Sequence, residues 1–439
     1  MIALRRIAAI AAVALTLAAP ARAEIVIEEV VSPGGIRAWL VEAPDIPFVA
    51  LELRFLGGAS LDDPARLGAV NLMAGLLEEG AGQMTAQDFA TARDALAAGM
   101  RFSAGDDAVS VSARMLTENR DAAAELLRKA LVEPRFDADA LERVRGQVLA
   151  GLRADQRDPQ AIAGQLFDRI AFGDHPYGLP DDGTEVSVAA LTRDDIVAAH
   201  RAALARDRVF VAAVGDIDAA ALGVLLDRLL GDLPETGAPL PERATAALAG
   251  GITVERFEGP QAVVIFGQPG IPRNDPDFLT AVVVNEVFGG GGLTSRLMRE
   301  VRERRGLTYG VYAAPSSGAF GETLTGRLAT ANATVGEAVA VLRDEWRRIA
   351  EDGLTAEELD TIKAYMTGSY ALRFDGNANI ARILVGMQMQ GLPIDYPLTR
   401  NDQVRAITLD EANRVARRLY DPASLTFVVV GQPEGLEGQ

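Results

Sequence analysis

A chain of 439 residues, 49% hydrophobic and 24% charged, has enough apolar substance for two or three domains with real cores. Its 61 acids against 43 Lys and Arg give a net charge of −18, which disfavours nucleic acid as a partner and fits a solvated acidic surface. With no cysteine there can be no disulfide, thiol catalysis or thiolate metal site, and two histidines, His175 and His200, leave little room for an imidazole site.

Residues 1–23 read as a secretory signal: Arg5 and Arg6, an apolar run from Ile7 to Ala18, and the small-x-small site Ala21-Arg22-Ala23. The run is short for a bilayer-spanning helix, so no membrane span is expected after cleavage. A mature chain from Glu24 is expected in the bacterial periplasm, with release to the medium as the alternative. Losing the leader removes three arginines and no acid, so −18 becomes −21.

From Glu24, strands are expected at Ile25–Val31, Ile36–Val41 and Val49–Phe55, then a helix near Arg66–Glu79 and another capped by Thr85 and Asp88. Met100–Ala104 and Ala108–Met115 are expected to form a hairpin around Gly105-Asp106, with helices following over Asn119–Leu131, Ala138–Gln156 and Gln160–Ala171. Residues 233–251, with Pro234, Pro239, Pro241 and Gly250-Gly251 and no apolar period, read as a linker between a first domain at 24–232 and a second at 252–435. The second repeats the order: strands Ile252–Phe257 and Gln261–Phe266, helices Asp277–Phe288 and Ser295–Arg305, strands Leu307–Ala313 and Glu322–Ala329, then helices Val335–Glu351, Ala356–Leu372 and Asn379–Gly391.

The segments Leu191–Gly215 and Ile407–Gly431 share a register at an offset of 216 residues. Each begins with a capping Thr (Thr192, Thr408) and an acid three positions on (Asp195, Glu411), and each ends in a β-branched strand closed by Gly. The expected class is α+β: two homologous domains, each a mainly antiparallel sheet with helices packed on one face.

Two segments carry candidate chemistry. The first is Phe288-Gly-Gly-Gly-Gly-Leu-Thr-Ser-Arg-Leu-Met-Arg-Glu-Val-Arg302-Glu-Arg-Arg-Gly-Leu-Thr-Tyr309-Gly-Val-Tyr-Ala313, which sets a guanidinium and a phenol seven residues apart at a helix-to-strand junction. A guanidinium with several donors and a neutral phenolic O–H can hold peptide carbonyls or stabilise an oxyanion. The competing reading is a charged helix face self-paired with Glu300 and Glu303. Gly289, Gly290, Gly291 and Gly292 do not precede a Lys-Ser/Thr, so they are a turn and not a phosphate loop.

The second is Gly58-Ala-Ser-Leu-Asp-Asp-Pro64-Ala-Arg-Leu-Gly68-Ala-Val-Asn71-Leu-Met-Ala74-Gly75-Leu-Leu-Glu-Glu-Gly80, followed by Gln147-Val-Leu-Ala150-Gly151 and Gly173-Asp-His-Pro-Tyr-Gly178. Together these resemble the insulinase/pitrilysin-type zinc peptidases, whose catalytic chains carry His-x-x-Glu-His and a distant Glu on the same framework. The likeness runs from about Glu24 to Pro433. It places the zinc ligands and general base at Asn71, Ala74 and Gly75, with the third ligand at Ala150 or Gly151. None of these can rebuild the site, so no metal or other cofactor is expected in this chain.

In paired members of that family one subunit carries zinc and the other brings an Arg–Tyr pair against it around an extended peptide. The resemblance therefore implies a non-catalytic subunit, inactive alone, acting through Arg302 and Tyr309 in trans on a peptide at the zinc of a homologous partner. The alternatives are a non-proteolytic peptide-binding or scaffold protein of the same fold and, more weakly, a stand-alone peptidase with unrecognised ligands. His175, in a turn, reads as a hydrogen-bonded loop histidine; His200, mid-helix without an acid one turn away, reads as packing.

Overall fold

The computed structural model describes residues 25–436; the expected leader at 1–23 lies outside the described residues. Two sheets organise the chain. The first runs, in spatial order, Glu28–Val31, Arg37–Glu42, Val209–Gly215, Phe48–Leu56, Ala108–Leu116 and Gly99–Ala104. The second runs Gly251–Arg256, Thr426–Gly431, Gln261–Pro269, Glu322–Ala331 and Val311–Ser317.

The five strands of the second sheet correspond in order to five of the first, whose edge strand Glu28–Val31 is extra. Each sheet has one parallel pair, Arg37–Glu42 with Val209–Gly215 and Gly251–Arg256 with Thr426–Gly431; the other neighbours are antiparallel. The 216-residue offset maps the helix Arg193–Ala203 onto Leu409–Leu419 and the end of the strand at Gly215 onto Gly431. The α+β class is as expected.

One capping expectation holds only by half. Thr192 and Asp195 form the full reciprocal box, with the Asp195 carboxylate accepting from the Thr192 N–H at 2.9 Å. Thr408 accepts from the Glu411 N–H at 3.2 Å, but the Glu411 carboxylate instead takes the Thr280 hydroxyl at 3.3 Å. A tertiary partner has won over the local one.

Period-two alternation in the strands aims one side-chain set at the helices of the same half. Leu51, Leu53, Phe55, Val109 and Val111 pack with Leu72, Leu127 and Leu226 in the first core; Val264, Phe266, Leu324 and Phe427 pack with Val284, Leu342 and Trp346 in the second. The opposite faces are closed reciprocally. Helix Asn377–Met389 of the second half lays Ile380, Ala381, Leu384 and Val385 against Trp39, Val41, Ala50, Ala212 and Val214 of the first sheet. Helix Pro159–Phe172 of the first half returns the contact, packing Ala163, Phe167 and Ala171 against Val263, Val428 and Val430. Small residues at the crossings let helix and sheet approach closely. At roughly 1.5–3 kcal/mol per buried large side chain, each crossing contributes several kcal/mol to holding the halves together.

Between Leu230 and Gly251 no helix or strand forms, yet the segment is pinned. The Ala244 N–H donates to Phe320 O and the Ala247 N–H to Ala171 O, both at 2.7 Å. Beside it the Gly173–Gly178 segment forms a junction. The Tyr177 hydroxyl donates to the Asp107 carboxylate and accepts from the Phe320 N–H at 2.9 Å, while Asp107 also accepts from the Ala319 N–H at 3.1 Å. Gly318 is required there, because a Cβ would overlap the Tyr177 hydroxyl.

Candidate functional site

The Arg–Tyr segment is shaped by a compact charge network. Glu300, buried, accepts from Arg304 at 2.8 Å and Arg305 at 3.0 Å. Burial alone would raise its pKa, but the Arg305 hydrogen bond and the two guanidinium charges hold it below the usual value. Arg296 takes both oxygens of Glu358, at 2.7 and 2.6 Å. The arginines around Arg302 are thus paired, whereas the Arg302 guanidinium has no hydrogen-bond or ion-pair partner among the described residues. The self-paired helix face is real, and Arg302 is left out of it.

Helix and strand bounds differ here from the expected ones. The ordered turn after the glycines is Met298–Glu303, a wide π-type turn, and the strand begins at Val311, not Leu307. Gly306 turns the chain at φ +65°, Leu307 is buried, and the Thr308 hydroxyl donates to Ala329 O at 2.8 Å in place of a ladder bond. Tyr309 is consequently on a loop and 91% exposed. Asn285, buried, fixes the strand that follows by donating to Ala313 O at 2.8 Å.

Tyr309, Gly289, Gly290 and Gly292 line one cavity of about 510 Å³, within the range of small-ligand and peptide side-chain sites. Gly291 and Arg302 do not line it. At Gly289 a Cβ would stand 2.9 Å from the Ala313 N, and Gly292 sits at φ +63°, so both positions need glycine. The opposite wall carries Gln160, Gln261 and the cross-strand pair Tyr312 and Arg327, whose guanidinium lies 5.0 Å over the Tyr312 ring. Val311 and Tyr312, which also line the cavity, begin Val311–Ser317, an end strand of its sheet.

The metal-equivalent positions lie elsewhere, in the first half. Asn71, Ala74 and Gly75 are on helix Ala69–Leu76, and Ala150 and Gly151 on helix Ala138–Asp155. The two helices meet where Gly75 faces Val144, a Cβ there standing 3.1 Å from the Val144 methyl. Ala74 is buried, while Ala150 and Gly151 are exposed. Asn71 donates to the Asp182 carboxylate at 2.6 Å. None of the five lines the Tyr309 cavity.

Zinc does not fit this half. Two of the positions are alanine and two glycine, the one amide is engaged, and among the described residues no group of three or more His, Asp or Glu could hold a metal. The neighbouring acids have structural roles. Asp62 caps the helix by accepting from the N–H of Gly68 at 2.7 Å and of Val70 at 3.0 Å. Burial nonetheless pushes its pKa up to about 7.

Comparison with known proteins bears on both sets. Residues 190–366 match the family described as the peptidase M16 inactive domain. A Mycobacterium leprae protein named an uncharacterized zinc protease is 29% identical over 405 residues, covering 89% of this chain and 88% of that one. A Helicobacter pylori protein named a non-peptidase homolog is 27% identical over 385 residues, covering 88% and 89%. The crystal structure of a peptidase M16 inactive domain from Pseudomonas fluorescens superposes with a TM-score of 0.86 at 28% identity, covering 93% of this chain and 98% of that chain.

In sequence and fold this chain is M16-like, resembling the inactive domain of the insulinase-type peptidases. It has the M16-like framework, and the positions that the resemblance assigns to zinc ligands hold Asn71, Ala74, Gly75, Ala150 and Gly151. Both histidines are used in structure. His175 makes a ring-nitrogen contact of 3.0 Å with Glu242 O and accepts from the Tyr177 N–H at 3.2 Å. His200 contacts Leu131 O at 2.8 Å beneath the Phe136 ring, and burial lowers its pKa.

Sequence reasoning missed Arg327, Tyr312, Gln160 and Gln261. Strand alternation could have aligned Tyr312 with Arg327; the Gln160 contribution, which comes from the helix lent by the other half, had no local signal.

Proposed function

We propose that this chain is the zinc-less subunit of a two-chain periplasmic metallopeptidase, contributing Arg302 and Tyr309 to a peptide bound at the zinc of a homologous partner. The observation carrying this reading is that Arg302 has no partner among the described residues, although its arginine neighbours are paired, and that Tyr309 projects at 91% exposure beside a cavity floored by the glycine turn. An unpaired guanidinium and an exposed phenol contribute little to this chain's own stability. They are available to a substrate.

In this reading the peptide adds along the open edge of Val311–Ser317 by main-chain hydrogen bonds, its side chains entering the 510 Å³ cavity. Arg302 and Tyr309 then donate to the scissile carbonyl oxygen as negative charge develops on it. The metal and the attacking water belong to the partner. The net charge of −18 favours basic peptides weakly.

A second reading, a peptide-binding or scaffold protein without proteolytic duty, is favoured by the Helicobacter pylori relative's name, a non-peptidase homolog. An affinity-tagged chain recovered from periplasm separates the two. The first reading expects a co-purifying chain with His-x-x-Glu-His and peptide hydrolysis by the pair but not by this chain alone; recovery of the chain without such a partner supports the second.

A further inference from the structure

A second cavity, about 490 Å³, lies in the second half between helix Asn377–Met389 and the segments around Arg273 and Tyr396. Four guanidiniums reach it, from Arg273, Arg373, Arg382 and Arg400, and no carboxylate lines it. In a chain of net charge −18, such a concentration of unneutralised positive charge calls for a reason.

The four are held by neutral groups or by nothing. Arg400 is buried, donates to Met366 O at 2.9 Å and Asn401 Oδ1 at 3.1 Å, and lies 4.5 Å over the Tyr370 ring. Arg273 donates to Gln390 Oε1 at 3.0 Å and lies 4.4 Å over Phe278. The exposed side chains of Arg373 and Arg382 have no hydrogen-bond or ion-pair partner among the described residues. Glu286 is the carboxylate whose titration feels Arg373 and Arg400, but it makes no ion pair with either and belongs to a different cavity.

Aromatic and aliphatic side chains complete the wall, among them Phe278, Phe374 and Tyr396. Guanidiniums stacked on rings keep their in-plane donors free for a carboxylate or phosphate, and a ring or acyl chain can lie on the apolar wall beside them. We propose that this cavity binds a small amphipathic anion, its carboxylate, sulfonate or phosphate head on Arg373 and Arg382 and its apolar body against Phe278, Phe374 and Tyr396. The helix that supplies Arg382 and Ile383 to this wall presents its other face, through Ile380 and Leu384, to the first sheet. A ligand here therefore sits where the two halves are clasped.

The test is fluorescence titration of the full folded chain with 8-anilinonaphthalene-1-sulfonate, competed by phenyl phosphate and by decanoate to tell head from body. Saturable micromolar binding is expected. It should weaken at least tenfold in Arg373→Ala/Arg382→Ala, weaken at high salt, and stay unchanged in Arg327→Ala, which alters the other cavity. The double variant removes exposed, unpartnered side chains, so its melting midpoint should match that of the native chain. Unchanged affinity in the double variant, loss of binding in Arg327→Ala, or no saturable binding at millimolar probe would overturn the proposal.

Discussion

Asn71 donates its side-chain amide to the Asp182 carboxylate at 2.6 Å, tying helix Ala69–Leu76 to the loop after Gly178. A position that would serve a metal is thus spent on a tertiary hydrogen bond. With Ala74, Gly75, Ala150 and Gly151 offering no ligand, the chain purified in the presence of zinc should hold far less than one equivalent. EDTA should leave its melting midpoint unmoved. Stoichiometric zinc by elemental analysis, or a fall of several degrees on chelation, would contradict this account of the first half.

The acids around that helix set a pH dependence. Unfolded, Asp62 titrates near 3.8; folded, burial moves it to about 7. Between those values the folded chain retains the extra proton, so stability falls as pH rises from about 4 to 7 and levels off above. At 1.36 kcal/mol per unit the upper bound is about 4 kcal/mol, and roughly half of that is a fair expectation once solvent screening is allowed for. Asp106, at about 7, and Asp168, at about 6, are raised by desolvation and by the Asp181 charge and act in the same direction. Both are exposed whereas Asp62 is half-buried, so Asp62 carries the larger part. Melting midpoints at pH 5.5 and 8 should differ by several degrees, lower at pH 8, with a smaller difference in Asp62→Asn.

The reciprocal helix crossings make the halves one cooperative unit. Leu384→Ala empties a fully buried site against the first sheet and should cost about 2–5 kcal/mol. Tyr177→Phe removes the hydroxyl that joins Asp107 to the Phe320 N–H and should cost about 1–3 kcal/mol by leaving that amide unpaired. In both variants denaturation should remain a single transition while proteolysis within 233–250 quickens. Separate melting of the two halves would show that the crossings do not couple them.

Much of this architecture was legible in the chain. The 216-residue offset, the capping threonines and the strand alternation gave two like halves, because each is a local signal. The crossings were not legible, since Ile380, Leu384 and Phe167 read as ordinary amphipathic positions and nothing local says which sheet they face. At the site, the loss of ligands at Asn71, Ala74 and Gly75 could be read residue by residue. That Arg302 alone escapes pairing could not, because Glu300 and Glu358 choose among five nearby arginines by three-dimensional reach. The strand start was displaced by four residues for a similar reason: Thr308 satisfies Ala329 through its side chain.

The central claim is that Arg302 and Tyr309 act in trans. Because the half-buried Arg302 guanidinium is unpartnered and Tyr309 largely exposed, Arg302→Ala and Tyr309→Phe should shift the melting midpoint of this chain by no more than about 2 °C. The decisive measurement is turnover of a quenched peptide by the reconstituted pair, native or with Arg302→Ala in this chain. The account predicts a fall on the order of 10²–10³ with pairing intact. Turnover equal to that of the native pair would contradict it.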